Sequence, residues 1–139
     1  MIRYFLDTDI VSLFQRGHVA VCAAVQRHAP AEIGLTVLSV EEQLSGWYTQ
    51  LRRAKDRRVL AEIYQRMTNT VRFYASLEIV SFSEAAILRY EGLAKQKLKV
   101  RKSDLRIAAL VLEHDAILVT RNRRDFARIP GLKIEDWSQ

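Results

Sequence analysis

Six carboxylates in four places carry the chemistry this chain can offer. Asp7 and Asp9 end a short apolar run, Arg3-Tyr4-Phe5-Leu6; Glu41 and Glu42 open an amphipathic stretch; Asp104 opens another; Asp125 follows Ala116-Ile117-Leu118-Val119-Thr120. Acids at strand ends and helix starts converge in space while lying far apart in sequence. Converged carboxylates repel and raise one another's pKa, so a fold that keeps such a cluster needs a neutralising charge. A hard divalent cation with oxygen ligands is the usual one. Two such ions about 3.5–4 Å apart hold the attacking and leaving oxygens of a phosphoryl transfer and lower the pKa of bound water. No histidine is needed as a base, and His18, His28 and His114 fall away from these strand ends.

The remainder of the chain is basic. A net charge of +6 and a pI near 9.8 point to nucleic acid or another acidic partner. An acidic pocket on a basic protein reads as an enzyme acting on a polyanion. The lone Cys22 excludes an internal disulfide, and no Cys/His spacing suggests zinc. A reducing, cytoplasmic setting follows as the default. Asp7 and Asp9 interrupt the first apolar run too early for a signal peptide, and no run approaches the roughly 20 apolar residues of a membrane helix.

The 139 residues, 49% hydrophobic and with only five glycines and two prolines, show no linker or repeat and predict one domain over 1–139. Residues 2–6 read as a strand, followed by a helix capped by Thr8 or Asp9 and ended at Gly17. A helix covers about 18–28, and Ile33 to Thr36 is a short strand. Helical spacing from Ser39 (Val40, Leu44, Trp47, Tyr48, Leu51) and again after the basic break at Arg57-Arg58 (Leu60, Ile63, Met67, Val71, Tyr74, Leu77) predicts a helical hairpin. A strand at 78–81 precedes a helix capped by Ser83 that runs to about Leu98, with Ala86, Leu88, Tyr90 and Leu93 as buried candidates. Ser103 is expected to cap the next helix, to His114, before strands at 117–120 and 132–135. Short apolar strands alternating with helices predict an α/β fold, a mainly parallel sheet covered on both faces. Sites in such folds form at the carboxyl ends of the strands, where Asp7, Asp9, Asn122 and Asp125 fall.

In order along the chain stand Leu6-Asp7-Thr8-Asp9, Val40-Glu41-Glu42-Gln43-Leu44-Ser45-Gly46, Ser103-Asp104-Leu105-Arg106-Ile107-Ala108-Ala109 and Leu118-Val119-Thr120-Arg121-Asn122-Arg123-Arg124-Asp125-Phe126, continuing through Ile129-Pro130-Gly131-Leu132 to Glu135-Asp136-Trp137. Each piece alone is weak; the ordered set resembles a PIN-domain ribonuclease, and more narrowly a VapC-type toxin of a bacterial toxin–antitoxin pair. The resemblance implies a PIN-like three-layer fold. It also implies that Asp7, Glu42, Asp104 and Asp125 hold one or two Mg2+ or Mn2+ ions. A metal-activated water would then cut an RNA phosphodiester, leaving a 5′-phosphate and a 3′-hydroxyl. Thr120 and Asn122 match positions that orient the acids. Asp9 stands where the family tolerates Asn, Ser or Asp, and is read as a supporting group, an occasional ligand or a helix cap. A homodimer and a small antitoxin that blocks the metal site are implied as partners.

Glu41 and Glu42 compete for one role. Helical phase puts Glu42 nearly opposite the Val40/Leu44/Trp47 face and Glu41 nearer its flank, which favours Glu41 as the enclosed group. The resemblance favours Glu42, four residues before Gly46, and Glu42 is taken as the ligand because a metal site at a helix start need not lie on the core face. The sequence departs from the family at Arg101, where a small residue is common three positions before the third acid. A long cation there grips a substrate phosphate, or pairs with a ligand carboxylate and weakens metal binding.

Basic residues gather at 52–58, 95–102 and 121–128. Arg101, Lys102, Arg121, Arg123 and Arg124 flank the third and fourth acids and are candidates for phosphate contacts, which position a strand without reading its sequence. The same arginines suit an antitoxin's acidic residues. Trp47, Tyr48, Tyr64, Phe73 and Tyr74 read first as core or interface. Two other functions compete. Asp7-Thr8-Asp9-Ile10-Val11 after a strand resembles the start of haloacid-dehalogenase-type phosphatases, where the first Asp attacks phosphate. A non-catalytic RNA- or partner-binding module would tolerate Asp7→Asn.

Overall fold

A computed structural model describes residues 1–139. Five strands form one sheet in the order β3-β2-β1-β4-β5, with every pair parallel. The strands are β1 (Tyr4–Leu6), β2 (Ile33–Thr36), β3 (Glu78–Val80), β4 (Ile117–Val119) and β5 (Lys133–Glu135). The sheet is thus wholly parallel, where the sequence predicted a mainly parallel one. Each crossover carries helix, so no hairpin turn reverses a strand. The helices are α1 (Thr8–Gln15), α2 (Val19–Gln26), α3 (Val37–Arg53), α4 (Arg57–Ala75), α5 (Glu84–Ala94), α6 (Lys102–Glu113) and α7 (Arg123–Phe126), with a 3-10 turn at Pro30–Glu32.

Side chains alternate across the sheet and so sort into two cores. Phe5 and Leu118 pack with Leu93, Leu105, Ala108, Val111 and Phe126 beneath α5, α6 and α7. Tyr4, Leu6, Ile33, Leu35 and Val119 pack with Ile10, Val11, Val21 and Tyr74 under α1, α2 and α4. This makes three layers. Complete burial of Phe5, Ile10, Leu118 and Phe126 contributes about 1.5–3 kcal/mol for each side chain. Gly34 answers a close approach: a Cβ there would sit 3.2 Å from the Glu78 carbonyl oxygen and 3.1 Å from Ile2 Cδ1.

The hairpin of α3 and α4 forms as its spacing predicts, but α3 starts at Val37, because Thr36 Oγ1 accepts from Ser39 N at 3.2 Å and caps it. Arg57 and Arg58 open α4 after the cap Asp56 rather than breaking the chain. Asp7 itself caps α1, in place of Thr8 or Asp9. Ser103 caps nothing; Arg101 holds the cap position of α6 without a side-chain bond. The α5 helix stops at Ala94, short of Leu98, and Leu88 faces solvent, 70% exposed, while Ala86 and Leu93 take the core face. No helix is long and apolar enough to cross a membrane.

Candidate metal centre

The strand order changes direction between β1 and β4: β1 leads through its helices to β2 on one side, and β4 leads to β5 on the other. A crevice opens at the carboxyl ends of strands at such a switch point. Asp7 stands at its floor as the residue after β1. Its backbone N–H donates to Val119 O at 2.8 Å, continuing the β1–β4 ladder by one bond. Its Oδ1 accepts from Thr8 N at 2.9 Å and its Oδ2 from Thr120 Oγ1 at 2.8 Å. Thr120 is fully buried and its hydroxyl also accepts from Asn122 N at 3.0 Å. One side chain therefore orders the end of β4 and aims the Asp7 carboxylate.

Burial pushes Asp7 up to about 6, with the nearby charges of Asp9 and Glu42 adding and the bonds from Thr120 and Thr8 opposing. Glu42 is half-buried and accepts from Thr8 Oγ1 at 3.2 Å. Its pKa is also raised, mainly by burial, with Asp104 adding and Thr8 and Arg101 opposing. Asp104 is buried, 4% exposed, in the first turn of α6, with Arg101 Nε 3.3 Å from its Oδ2. Asp125 lies in the first turn of α7, where Asn122 Nδ2 donates to its Oδ2 at 3.2 Å and its own N–H donates to Asn122 Oδ1 at 3.4 Å. Arg101 is held more firmly protonated by Asp104 first, then by Glu42 and Asp125. These couplings tie Asp7, Glu42, Asp104 and Asp125 into one electrostatic cluster. Asp7 and Asp104 sit at helix N-termini, where the macrodipole favours negative charge.

Of the two adjacent glutamates, Glu42 turns to the cluster. Glu41 is exposed and lines an outer groove with Val37, Leu44 and Tyr48. Helical phase favours Glu41, yet Glu42 is the enclosed one, because the cluster sits beside the α1–α3 contact, where Thr8 meets Glu42, and not under the core face of α3. Asp9 pairs with Arg121, whose Nε is 3.2 Å from Oδ2, while its Oδ1 is buried with no partner. Lys102 and Arg124 are exposed near the third and fourth acids, and Arg123 is exposed within electrostatic reach of Asp136. Arg128, absent from the sequence-level candidates, spans Lys99 O at 2.8 Å and Asp125 Oδ1 at 4.0 Å. Thr8 and Tyr74 were also missed as neighbours of Glu42. Burial and then Glu42 push the Tyr74 phenol up to about 12. The three histidines lie elsewhere: His18 caps α2, His28 stacks on Trp137, and His114 meets Phe5 edge-on.

No three His, Cys, Asp or Glu side chains stand close enough to form a ready-made cage for an ion. The donor set nevertheless fits Mg2+ or Mn2+. It is all oxygen, and its acids carry repulsion that a cation would relieve; beside it, Asp9 keeps one buried oxygen with no partner. Ions of this class keep several waters and need few protein ligands, so spread carboxylates suit them.

Comparison with known proteins places this geometry in context. The family model described as PIN domain matches residues 4–132. Ribonuclease VapC2 of Rickettsia felis is 35% identical over 71 residues, 48% of this chain and 53% of the relative. The tRNA(fMet)-specific endonuclease VapC of Salmonella typhimurium is 39% identical over 70 residues, 47% of this chain and 52% of that protein. The chain thus spans about half the length of the curated relatives it matches. Among solved structures, VapBC2 from Rickettsia felis bound to a DNA fragment from their promoter superposes with a TM-score of 0.77 at 26% identity, covering 99% of both chains.

Proposed function

This chain belongs to the PIN domain family, and from that premise we propose that it is a divalent-metal-dependent endoribonuclease, the toxin of a toxin–antitoxin pair. The observation that carries this reading is the single electrostatic cluster built by Asp7, Glu42, Asp104 and Asp125 from β1, α3, α6 and α7. Those four acids would hold one or two Mg2+ or Mn2+ ions. When bound, the ions supply a nucleophilic water near neutral pH and charge neutralisation at the phosphoryl group.

The chain's own residues do the rest. Thr120 and Thr8 fix the two oxygens of Asp7, Thr8 reaches across to Glu42, and Asn122 holds Asp125 from two sides. Preorganised ligands lose no orientation when substrate arrives. Arg101 balances Asp104 until another cation does. Lys102, Arg121, Arg123 and Arg124 bring positive charge to the rim, where RNA phosphates would lie. A small cognate antitoxin whose acidic groups meet the same rim, a homodimer, a single domain over 1–139 and a cytoplasmic setting complete the reading.

A phosphatase with Asp7 as nucleophile suits the site less well. Both Asp7 oxygens already accept hydrogen bonds and its carboxylate caps α1.

The deciding experiment is cleavage of an RNA pool by purified protein, with Mg2+ or Mn2+ and with chelator, wild type beside Asp7→Asn. Metal-dependent cuts with 5′-phosphate ends, reduced at least about 100-fold in the variant, are expected. A folded wild type that cuts no RNA sinks the reading, and harmless overexpression of soluble, metal-replete protein sinks the toxin role.

A further inference from the structure

Beyond the acids, α1 and α3 continue outward and meet α4 around a hollow of about 370 Å³ lined by Gln15, Arg16, Gln43, Trp47, Arg66 and Asn69, among others. Its position follows from the helices. Thr8, Ser12 and Gln15 share one stripe of α1, and Gln43 follows Glu42 in α3 with Trp47 one turn further. At 1.5 Å per residue, Ser12 and Gln15 lie roughly 6 and 10 Å along the axis from Thr8, which itself bonds Glu42. The hollow therefore begins where the acid cluster ends.

Its lining contains no carboxylate, and neither Arg16 nor Arg66 has an acid within 4.0 Å. Arg16 spends only its Nε, on the Ser12 carbonyl at 3.3 Å. Arg66 lies over the Trp47 ring, 5.6 Å from its centroid. Asn69 accepts from Gln65 at 3.0 Å, which leaves its NH2 free to donate. Trp47 is 6% exposed and its indole N–H is buried without an acceptor. The hollow is thus rich in donors, with two uncompensated guanidinium groups and no acceptor charge. A phosphodiester supplies what it lacks, since guanidinium forks match phosphate oxygens.

We propose that this hollow is a subsite for a backbone phosphate of the RNA strand next to the cleaved bond, and that Arg16 and Arg66 set which phosphodiester reaches Asp7. This rests on the nuclease reading above, because a strand lying over the acid cluster continues into it. The side-chain amides of Gln15 and Gln43 suit base edges beside that phosphate, which favours a nucleic acid over an acidic peptide.

The test is binding of a labelled 12-nucleotide single-stranded RNA in chelator, by anisotropy across a salt series, joined to mapping of cut positions with metal. Wild type is compared with Arg16→Ala/Arg66→Ala and Arg16→Lys/Arg66→Lys, and with each protein's binding of a short acidic peptide. Both arginines are exposed, so melting temperatures should fall by no more than a few degrees, from the lost Arg66–Trp47 contact. The alanine pair is expected to bind roughly 10-fold or more weakly. Its log–log salt slope should be shallower by about 0.7 for each lost phosphate contact. Its cut positions should spread, and the lysine pair should keep most of the salt slope. If wild type cuts RNA and the alanine pair shows the same Kd, slope and cut sites, the subsite is wrong and the nuclease reading stands. If the alanine pair loses only the acidic peptide, the hollow is a protein-partner site and the proposal fails. If wild type neither binds nor cuts RNA, both fall.

Discussion

Thr120 Oγ1 donates to Asp7 Oδ2 at 2.8 Å across 113 positions of sequence, tying the end of β4 to the end of β1. That bond opposes the burial that raises Asp7. In Thr120→Val the Asp7 carboxyl of metal-free protein should rise further, by about half a unit to one unit when its titration is followed directly. The Asn122 N–H also loses its acceptor, which should cost about 1–3 kcal/mol of stability. An unmoved Asp7 titration in the metal-free variant would reject this account of Asp7.

Asp7 also makes stability depend on pH. Its folded pKa, about 6, lies above the ordinary 3.8, so the folded state keeps a proton that the unfolded chain has released. Metal-free protein is favoured fully below about pH 3.8, and loses that stability as pH rises towards and through 6. The difference is at most about 3 kcal/mol. Asp7→Asn should therefore melt several degrees higher than wild type at pH 7.5 without metal, and close to wild type at pH 4. Added Mn2+ should raise the wild-type midpoint and leave that of the variant nearly unmoved. A variant that melts lower than wild type at both pH values contradicts this.

Arg101 occupies Asp104 at 3.3 Å but is itself 76% exposed, so the pair contributes only about 0–1 kcal/mol. A metal ion competes with it. Arg101→Ala should tighten Mn2+ binding about two- to fivefold by calorimetry and weaken RNA binding in chelator. Looser metal binding would instead make Arg101 a support of the site.

Asp104 is the most enclosed of the four acids, and an amide fills its space. Asp104→Asn should cost no more than about 1–2 kcal/mol of stability while cleavage falls at least about 100-fold. Full activity in the folded variant would remove Asp104 from the ligand set.

A Cβ at Gly34 would meet Ile2 and the Glu78 carbonyl and none of the acids, so this position tests the sheet. A methyl group there presses on the Glu78 carbonyl and on Ile2. Gly34→Ala should destabilise by about 1–3 kcal/mol with kcat unchanged at a temperature where both proteins are folded. A neutral melting curve would show that Ile2 yields.

The strand ends were legible because buried parallel strands are short apolar runs whose following residues are forced to the switch point; Asp7 after Leu6 and Asn122 after Val119 needed nothing more. Glu42 was legible only through the ordered motif, since phase within α3 reports that helix's core face and carries no information on where α1 crosses it. Caps were the weakest reading. Thr36 and Asp7 both end strands and start helices, and a residue with two duties at one junction looks like the end of the first element. Leu88 misled because hydrophobic character alone cannot tell a core position from an exposed one on a helix whose apolar face is narrow. Arg16, Arg66 and Trp47 come together from three helices, and no local spacing announces that.

The β1–β4 bond has a consequence for synthesis. Asp7 is made long before its partners: the hydroxyl that aims it stands 113 positions further along the chain, and the last acid of its cluster follows that. The ladder beyond Val119 is then continued by Thr120 N donating to Glu135 O at 2.9 Å, a partner on a strand made later still. A chain halted before Thr120 and Asp125 has no assembled centre, so the acid cluster cannot close until β4 and α7 have both been made.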